Sequence, residues 1–440
     1  MKKIFVLFIA LLFTTSAFSQ GMLNLFGKAD EFFTLLGTEK YTEAYELVDP
    51  TFQAQAPLPK FQEMWGSITS KLGKLQSISV KSSKAMDGGI YVLQVEGKFA
   101  NDVQSFSLAF NKAEKVIGLR LMPRAASAEY IKPAYADTNL YAEKEIYVKA
   151  EKHSLVGILT YPKKISSYPL VVMVHGSGPS DMDGTVGPNR ILKDLASGLA
   201  SKGIGSIRYV KRTMIYPNDF VGAFSVKEEV LDDALAAIAL ARTTVGADKK
   251  RLFVLGHSLG GMLAPRIAAM APDLNGMILL AAPARTLTDL IVEQNKYMFA
   301  LSKDTTEMGR KMMAENDVEF SKSRLTSLGT TIKADSIVLG LPASYWIDLN
   351  NYNQVATAKK LTKQKIFVAQ GGNDFQVSMA DFDLWKAALG ARKNVALKSY
   401  VDLNHLMSTQ TEKGSVAQYQ KPANVSSLLI DDLSAWINMK

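Results

Sequence analysis

The spacing of apolar residues divides the chain into two regions with different periodicities. From Ala29 to about Leu75, apolar and aromatic residues recur three and four positions apart, which predicts amphipathic helices. Beyond Leu75 they alternate with polar residues in the two-residue period of half-buried strands, with a turn signal at Gly88-Gly89. Helices followed by a short antiparallel meander predict a small α+β domain over residues 20–124.

The rest of the chain alternates continuous apolar strands with amphipathic helices. It begins after residues 125–142, which are rich in alanine and polar residues and predict a linker. The strands include PLVVMVHG and RLFVLG, and the helices include ILKDLASGLASKG and LGGMLAPRIAAMA. This alternation predicts an α/β domain over residues 143–440, with a mostly parallel sheet covered by helices on both faces. In such a sheet, functional sites gather at the carboxyl ends of the strands.

One connection in this second region is too long for a simple crossover. Residues 285–353 lie between the strand GMILLAAPA and the strand KIFVAQGG, and we expect them to form a helical cap over the site. Its aromatic and methionine side chains predict an apolar pocket, although some of them must pack the cap on the body. These side chains are Tyr297, Met298, Phe299, Met308, Met312, Met313, Tyr345, Trp346 and Tyr352.

The first 19 residues have the layout of a secretory signal peptide. Lys2 and Lys3 precede an apolar run, and small residues lead to Ser19. The apolar run is shorter than the roughly 20 residues that span a bilayer, so we expect cleavage after Ser19 rather than an uncleaved anchor. The sequence therefore predicts an exported protein, periplasmic or secreted, without stable membrane insertion after cleavage.

Composition excludes several kinds of chemistry and disfavours one class of partner. The chain has no cysteine, which excludes disulfides, thiol catalysis and lipid attachment through a thiol. Its formal net charge is +9 at pH 7, and loss of Lys2 and Lys3 leaves 49 basic against 42 acidic residues, or +7. Because the basic residues are dispersed, we expect a solvated surface and no nucleic-acid partner.

The stretch FVLGHSLGGM places Ser258 between an apolar strand and a helix. This is the context of a nucleophile elbow, a sharp turn in which Gly256 and Gly260 leave room where a β-carbon would clash. The Ser258 hydroxyl would project at the top of the sheet. The Leu259 N–H, at the start of the helix, is a candidate oxyanion donor.

A serine nucleophile needs a base, and the chain contains four histidines. His257 lies inside the elbow, His153 precedes an early strand, and His175 opens the loop HGSGP. His405 follows the last strand and precedes the closing helix, which is where the chain order nucleophile, acid, histidine puts the base. We therefore predict that His405 is the catalytic base.

The acid that orients His405 has two candidates. Asp374 follows the strand KIFVAQGG, and Asp402 lies three residues before His405. A residue so near on the same strand end is poorly placed to reach the far side of the imidazole, so we favour Asp374.

The loop HGSGP follows the strand PLVVMV and predicts a second oxyanion donor. The backbone N–H of Ser177 is the first candidate and that of Gly178 the second. A nucleotide-binding loop is the weaker interpretation, because Asp181 stands where a third glycine is needed. Neither a metal nor an organic cofactor is implied.

With these motifs in this order, residues 143–440 resemble an α/β-hydrolase. HGSGPSDMDG, RYVKRT, GHSLGGMLAPRIA and GGNDFQV are similar to motifs of bacterial carboxylesterases grouped with serine aminopeptidase-like and dienelactone hydrolase-like proteins. The first domain resembles, in pattern, the cystatin-like or NTF2-like domains that precede some exported hydrolases. The resemblance implies a serine hydrolase that acts on small-molecule carboxylic esters.

Three alternatives share parts of this evidence. A thioesterase would use the same triad, and so would a peptidase, which would also need a cap carboxylate to hold a substrate amine; Asp289, Glu293 and Asp348 are available. A binding protein built on a hydrolase fold would keep the shape without the chemistry. Nothing in the sequence indicates the oligomeric state.

Overall fold

A computed structural model describes residues 20–86, 89–122 and 129–439. These residues form two compact units. The first comprises the described residues up to 122 together with Asn295–Ser321, and the second comprises residues 129–294 and 322–439. The predicted signal peptide, residues 1–19, lies outside the described residues, as does the start of the predicted linker, up to residue 128.

The first unit begins with helices and continues as an antiparallel sheet, as the change of period predicts. Its helices are α1 (Gln20–Gly37), α2 (Tyr41–Glu46), α3 (Pro50–Gln55) and α4 (Leu58–Leu72). Its strands are β1 (Leu75–Met86), β2 (Ile90–Phe99), β3 (Val103–Phe110) and β4 (Val116–Leu121), paired in that order. The small α+β architecture is therefore confirmed.

This unit has an aromatic core of its own. The ring of Phe33 lies 5.1 Å from that of Phe106 and 6.0 Å from that of Trp65, and Trp65 also contacts Phe99 at 5.9 Å between ring centroids. All four side chains are buried. Tilted aromatic pairs at this spacing add to the free energy gained from burying their area, so the helices and sheet are joined by a genuine core.

The second unit contains most of the remaining elements. Its strands are β5 (Tyr141–Ala150), β6 (His153–Pro162), β7 (Tyr168–Val174), β8 (Thr185–Val186), β9 (Asn189–Arg190), β10 (Gly205–Tyr209), β11 (Ala247–His257), β12 (Gly276–Leu280), β13 (Ile337–Val338), β14 (Leu341–Pro342), β15 (Lys365–Gly371) and β16 (Val395–Tyr400). The helices that follow β4 along the chain are α5 (Ile191–Ser201), α6 (Arg212–Ile215), α7 (Asp232–Thr243), α8 (Leu259–Met270), α9 (Leu287–Ser302), α10 (Glu307–Ser321), α11 (Ala343–Asn351), α12 (Gln354–Lys360), α13 (Met379–Leu389) and α14 (Ser427–Asn438). Short irregular turns of helix cover Pro217–Phe220, Lys227–Leu231 and Val416–Gln420. The end of α9 and all of α10 belong to the first unit.

Eight strands of the second unit form one twisted sheet in the order β16-β15-β12-β11-β7-β10-β6-β5. The pairs from β16 to β10 are parallel, whereas β10–β6 and β6–β5 are antiparallel. Helices α7 and α8 contribute to the core on one face, and α5 and α14 to the core on the other. The predicted mostly parallel sheet with helices on both faces is therefore confirmed.

The described part of the predicted linker belongs to the second unit and is hydrogen-bonded to other parts of it. The Tyr130 hydroxyl donates to Asp194 Oδ1 at 2.7 Å, and the Tyr135 hydroxyl donates to the Val425 carbonyl at 2.8 Å. Both contacts reach residues that are distant along the chain. From Tyr130 onward, the segment is thus held in place before β5 begins.

The long connection between β12 and β15 contains helices, as predicted, but two of its aromatic residues do not line a pocket. Tyr345 and Trp346 on α11 are buried, and the Trp346 indole donates to the Val338 carbonyl at 2.7 Å. Trp346 thus packs this segment, and Tyr345 bonds beyond it, since its hydroxyl donates to Glu229 at 2.6 Å. Among the residues that the structure describes, no helix is both long and apolar enough to cross a bilayer.

Candidate active site

The candidate nucleophile occupies a strained turn between β11 and α8. Ser258 has φ +55° and ψ −119°, a backbone conformation that a residue with a side chain rarely adopts. A β-carbon on Gly256 would lie 2.0 Å from the Gly260 carbonyl oxygen, and one on Gly260 would lie 2.5 Å from the Val174 carbonyl oxygen. Glycine is therefore required at both positions for the turn to close.

Main-chain hydrogen bonds hold this turn in place. The Ser258 N–H donates to the Leu280 carbonyl at 2.9 Å, and its carbonyl accepts from the Met262 N–H at 2.9 Å. Leu259 is the first residue of α8, and the first N–H groups of a helix have no partner within the helix. The Leu259 N–H is thus available at the positive end of the helix dipole.

The HGSGP loop lies directly against the candidate nucleophile. A β-carbon on Gly176 would be 3.3 Å from the Ser258 Cβ and 3.6 Å from Nδ1 of His257. Ser177, the next residue, is exposed to solvent. The loop that carries the predicted second oxyanion donor therefore borders the elbow, as its position after β7 predicts.

His405 and Asp374 are hydrogen-bonded to each other. His405 Nδ1 lies 2.8 Å from Asp374 Oδ2, and both side chains are buried. If the proton is on Nδ1, the other ring nitrogen, Nε2, is free to accept a proton. Asp402, the alternative acid, is exposed, and the carboxylate bonded to the ring is that of Asp374.

The Asp374 carboxylate is fixed by its own neighbours. Its Oδ1 accepts from the backbone N–H groups of Gln376 at 2.7 Å and Val377 at 2.9 Å, while Gln370 donates to Oδ2 at 3.0 Å. These donors leave the carboxylate one favourable orientation. The imidazole that it binds is oriented in turn.

His257 connects the elbow to His405. Its Nε2 lies 2.8 Å from the His405 carbonyl oxygen, and the two ring centroids are 4.8 Å apart. Burial lowers the pKa of His257 to about 3, so the ring is neutral near pH 7. The neutral ring of His257 donates from Nε2 to the His405 carbonyl. It therefore holds the main chain of His405 close to the elbow, since His257 directly precedes Ser258.

The other two histidines have separate partners. His175 Nε2 lies 3.0 Å from the Asp181 carbonyl, and burial lowers the pKa of His175 to about 4. His153 is paired with Asp219. Of the four histidines, His405 is thus the one whose imidazole is bonded to a carboxylate in the interior beside the elbow.

A buried ion pair that the sequence did not predict lies next to the HGSGP loop. Lys211 Nζ donates to the Gly176 carbonyl at 2.9 Å and pairs with Glu229, whose other oxygen accepts from the Tyr345 hydroxyl at 2.6 Å. All three side chains are buried. Lys211 in the motif RYVKR was visible as a basic residue straight after a buried strand, which is an unusual place for a lysine.

The three carboxylates considered for binding a substrate amine each have an arginine partner. Asp289 accepts from Arg324 at 2.6 Å, and Asp348 accepts from Arg266 at 2.9 Å. Glu293 is paired with Arg285. Asp289 and Asp348 are thus each compensated by an arginine, whereas Glu293 shares Arg285 with Asp381. Within the described ranges, no group of three or more acidic or histidine side chains is placed to bind a metal ion.

The sheet order, the strained serine turn and the motif order define an α/β-hydrolase. Residues 222–412 match the family described as serine aminopeptidase, S33, and residues 29–119 match a family described as a protein of unknown function, DUF3887. The chain is 34% identical to the esterase EstD of Thermotoga maritima over 429 residues. This alignment covers 94% of this chain and 96% of the esterase. The chain therefore belongs to the same family of α/β-hydrolases as this esterase.

Solved structures of other esterases are also similar. Est1E from Butyrivibrio proteoclasticus is 15% identical, with 67% of this chain and 99% of that chain covered and a TM-score of 0.43. The Pyrococcus furiosus esterase Pf2001 is 15% identical, with 68% of this chain and 92% of that chain covered and a TM-score of 0.42.

Proposed function

We propose that this protein is a serine hydrolase that cleaves carboxylic esters of small molecules. The observation that carries the proposal is the buried hydrogen bond of 2.8 Å between His405 Nδ1 and Asp374 Oδ2, beside the strained turn that presents Ser258. The homology with the esterase EstD, which extends over nearly the whole chain, supports the same activity.

The reaction follows from the roles of these groups. His405 Nε2 takes the Ser258 hydroxyl proton as the oxygen attacks the ester carbonyl, and the Asp374 carboxylate stabilises the imidazolium that forms. The N–H groups of Leu259 and Ser177 donate to the oxyanion of the tetrahedral intermediate. Collapse breaks the bond to the alcohol, which leaves with the proton from His405, and an acyl-serine remains.

Water completes the cycle. It loses a proton to His405 as it attacks the acyl-serine, and the carboxylic acid is released when Ser258 recovers its proton. No metal or organic cofactor takes part in these steps.

Charge compensation in the long connection favours esters over peptides with a free amino end. Asp289 and Asp348 hold arginine side chains at hydrogen-bonding distance, and Glu293 is paired with Arg285. A substrate ammonium would have to displace an arginine from Asp289 or Asp348, or compete at Glu293 with Arg285, which Asp381 also binds. The peptidase alternative predicts faster cleavage of amino-acid arylamides than of acyl esters.

Steady-state hydrolysis distinguishes an esterase from a peptidase and from a binding protein without activity. We expect p-nitrophenyl acyl esters to be cleaved with a chain-length optimum and alanine or leucine p-nitroanilides to be cleaved far more slowly. Asp374→Asn should lower kcat by about 10⁴-fold, because the wrong histidine tautomer is then held. Asp402→Asn is the matched control and should keep wild-type kcat. Preference for anilides would favour the peptidase, and an inactive folded wild type would favour a binding protein.

We also propose that the protein is exported, to the periplasm or beyond. The support is the arrangement of Lys2 and Lys3, the apolar run and the small residues that end at Ser19.

A further inference from the structure

The buried pair Lys211 and Glu229 takes no direct part in the acyl transfer. Both residues are at most 3% exposed, and the lysine lies two residues beyond the end of β10, next to the loop that follows β7. Burying two charges is costly unless their remaining hydrogen-bonding capacity is used. Here it is used, because Lys211 donates to the Gly176 carbonyl and Glu229 accepts from Tyr345.

The Gly176 carbonyl matters because of the peptide group to which it belongs. The C=O of Gly176 and the N–H of Ser177 share one planar trans unit, in which they point in opposite directions. An ammonium at 2.9 Å from the carbonyl oxygen therefore fixes the direction of the Ser177 N–H. Gly176 itself borders Ser258, since a β-carbon there would lie 3.3 Å from the Ser258 Cβ.

Glycine makes such an anchor necessary. The motif His175-Gly176-Ser177-Gly178 has glycine on both sides of Ser177, and Gly178 adopts φ +79°. A loop with two glycines can rotate its peptide planes more easily than one with side chains. A charge-assisted hydrogen bond from a buried lysine, roughly twice as strong as a neutral one, opposes that rotation.

We propose that Lys211 is a positioning residue that orients the Gly176–Ser177 peptide as an oxyanion donor, and that Glu229 and Tyr345 hold its ammonium in place. This inference rests on the proposed esterase activity and deepens it. Tyr345 lies on α11, in the long connection between β12 and β15, so the orientation of the donor is linked to the packing of that connection.

Removal of the pair tests the proposal without leaving an isolated buried charge. In Lys211→Met/Glu229→Gln, both charges are lost together and the volumes are nearly kept. We expect kcat for p-nitrophenyl butyrate to fall about 10- to 100-fold with little change in KM, because an oxyanion donor acts mainly in the transition state. Tyr345→Phe keeps both charges and should cause a smaller loss of the same kind.

A transition-state analogue separates positioning from general damage. An alkyl trifluoromethyl ketone forms a hemiketal whose oxygen occupies the oxyanion site, so its Ki should rise by the same factor by which kcat/KM falls. Arg212→Met/Asp233→Asn is the matched control, because it removes the adjacent buried pair, which has no bond to the HGSGP loop. Melting temperatures measured by circular dichroism establish that each variant is folded.

The outcomes are distinct. Parallel loss of kcat/KM and ketone affinity in the Lys211 double variant and in Tyr345→Phe, but not in the Arg212 control, supports the proposal. Wild-type kcat and Ki in folded Lys211 variants overturn it, and so does an equal loss in the control. If the Lys211 double variant does not fold, Tyr345→Phe decides between the same two results. An inactive wild type would instead overturn the esterase assignment itself.

Discussion

Ser258 has a backbone conformation that its own side chain disfavours, and its neighbours maintain it. Strain of this kind costs about 1–3 kcal/mol and persists only where the surroundings impose it. At this scale chain order selected Asp374 and His405, whose side chains are hydrogen-bonded to each other, while their catalytic roles stay predictions. It could not predict the bond from His257 to the His405 carbonyl, since that bond joins residues 148 positions apart through tertiary packing.

The buried neutral histidines predict a pH dependence of stability. Burial lowers the pKa values of His257 to about 3 and His175 to about 4, below the ordinary value of about 6.5 that applies to the unfolded chain. The unfolded state therefore binds more protons between about pH 4 and 6.5, and stability is lost as the pH falls through that window. We expect about 2 kcal/mol less stability per histidine at pH 5 than at pH 7, measured by urea unfolding.

The matched comparison for this prediction is His175→Gln. This variant should lose about half of the pH-dependent difference that the two histidines cause. If the free energy of unfolding of His175→Gln depends on pH as steeply as that of the wild type, the lowered pKa of His175 is contradicted.

At the scale of elements, local patterns were predictable and long-range contacts were not. The elbow was visible because a strand, a glycine-flanked serine and a helix follow one another within FVLGHSLGGM. Helix α13, between the acid and the last strand, was not predicted. The buried contacts of Lys211 were also missed, because a lysine gains them only when three separate segments meet.

The elbow predicts that Gly256→Ala abolishes activity. The new β-carbon would lie 2.0 Å from the Gly260 carbonyl oxygen, which belongs to the main chain and cannot move aside while α8 keeps its start. We expect a stability loss of about 3 kcal/mol and no detectable ester hydrolysis. Gly329→Ala is the control, because no atom lies within 4 Å of the added carbon, and it should stay within about 0.5 kcal/mol of wild type. Equal activity in both variants would contradict the requirement for glycine in the turn.

For the whole molecule, the sequence predicted the architecture of the small α+β domain and of the larger α/β domain. It did not predict the order of the strands in the larger sheet. Alternation of strands and helices indicates a parallel sheet, whereas the order β16-β15-β12-β11-β7-β10-β6-β5 depends on which strands pair across the sheet. The linker pattern also gave no sign that the hydroxyls of Tyr130 and Tyr135 donate to Asp194 and to the Val425 carbonyl. Alanine-rich composition does not reveal such anchors.

Export makes a prediction for the amino terminus of the mature protein. If residues 1–19 are a signal peptide, protein recovered from the periplasm or the medium should begin at Gln20. Intact-mass spectrometry and amino-terminal sequencing measure this directly. A chain that keeps Met1 and stays in the cytoplasm would contradict export.

The most direct test of the account is labelling by a serine-directed fluorophosphonate, followed by mapping of the modified peptide. We predict one label per chain in folded mature protein, on the peptide that contains Ser258, and none in Ser258→Ala or in wild type preincubated with an ester substrate analogue. A folded wild type that takes no label, or a label that persists in Ser258→Ala, would contradict the assignment of Ser258 as the nucleophile.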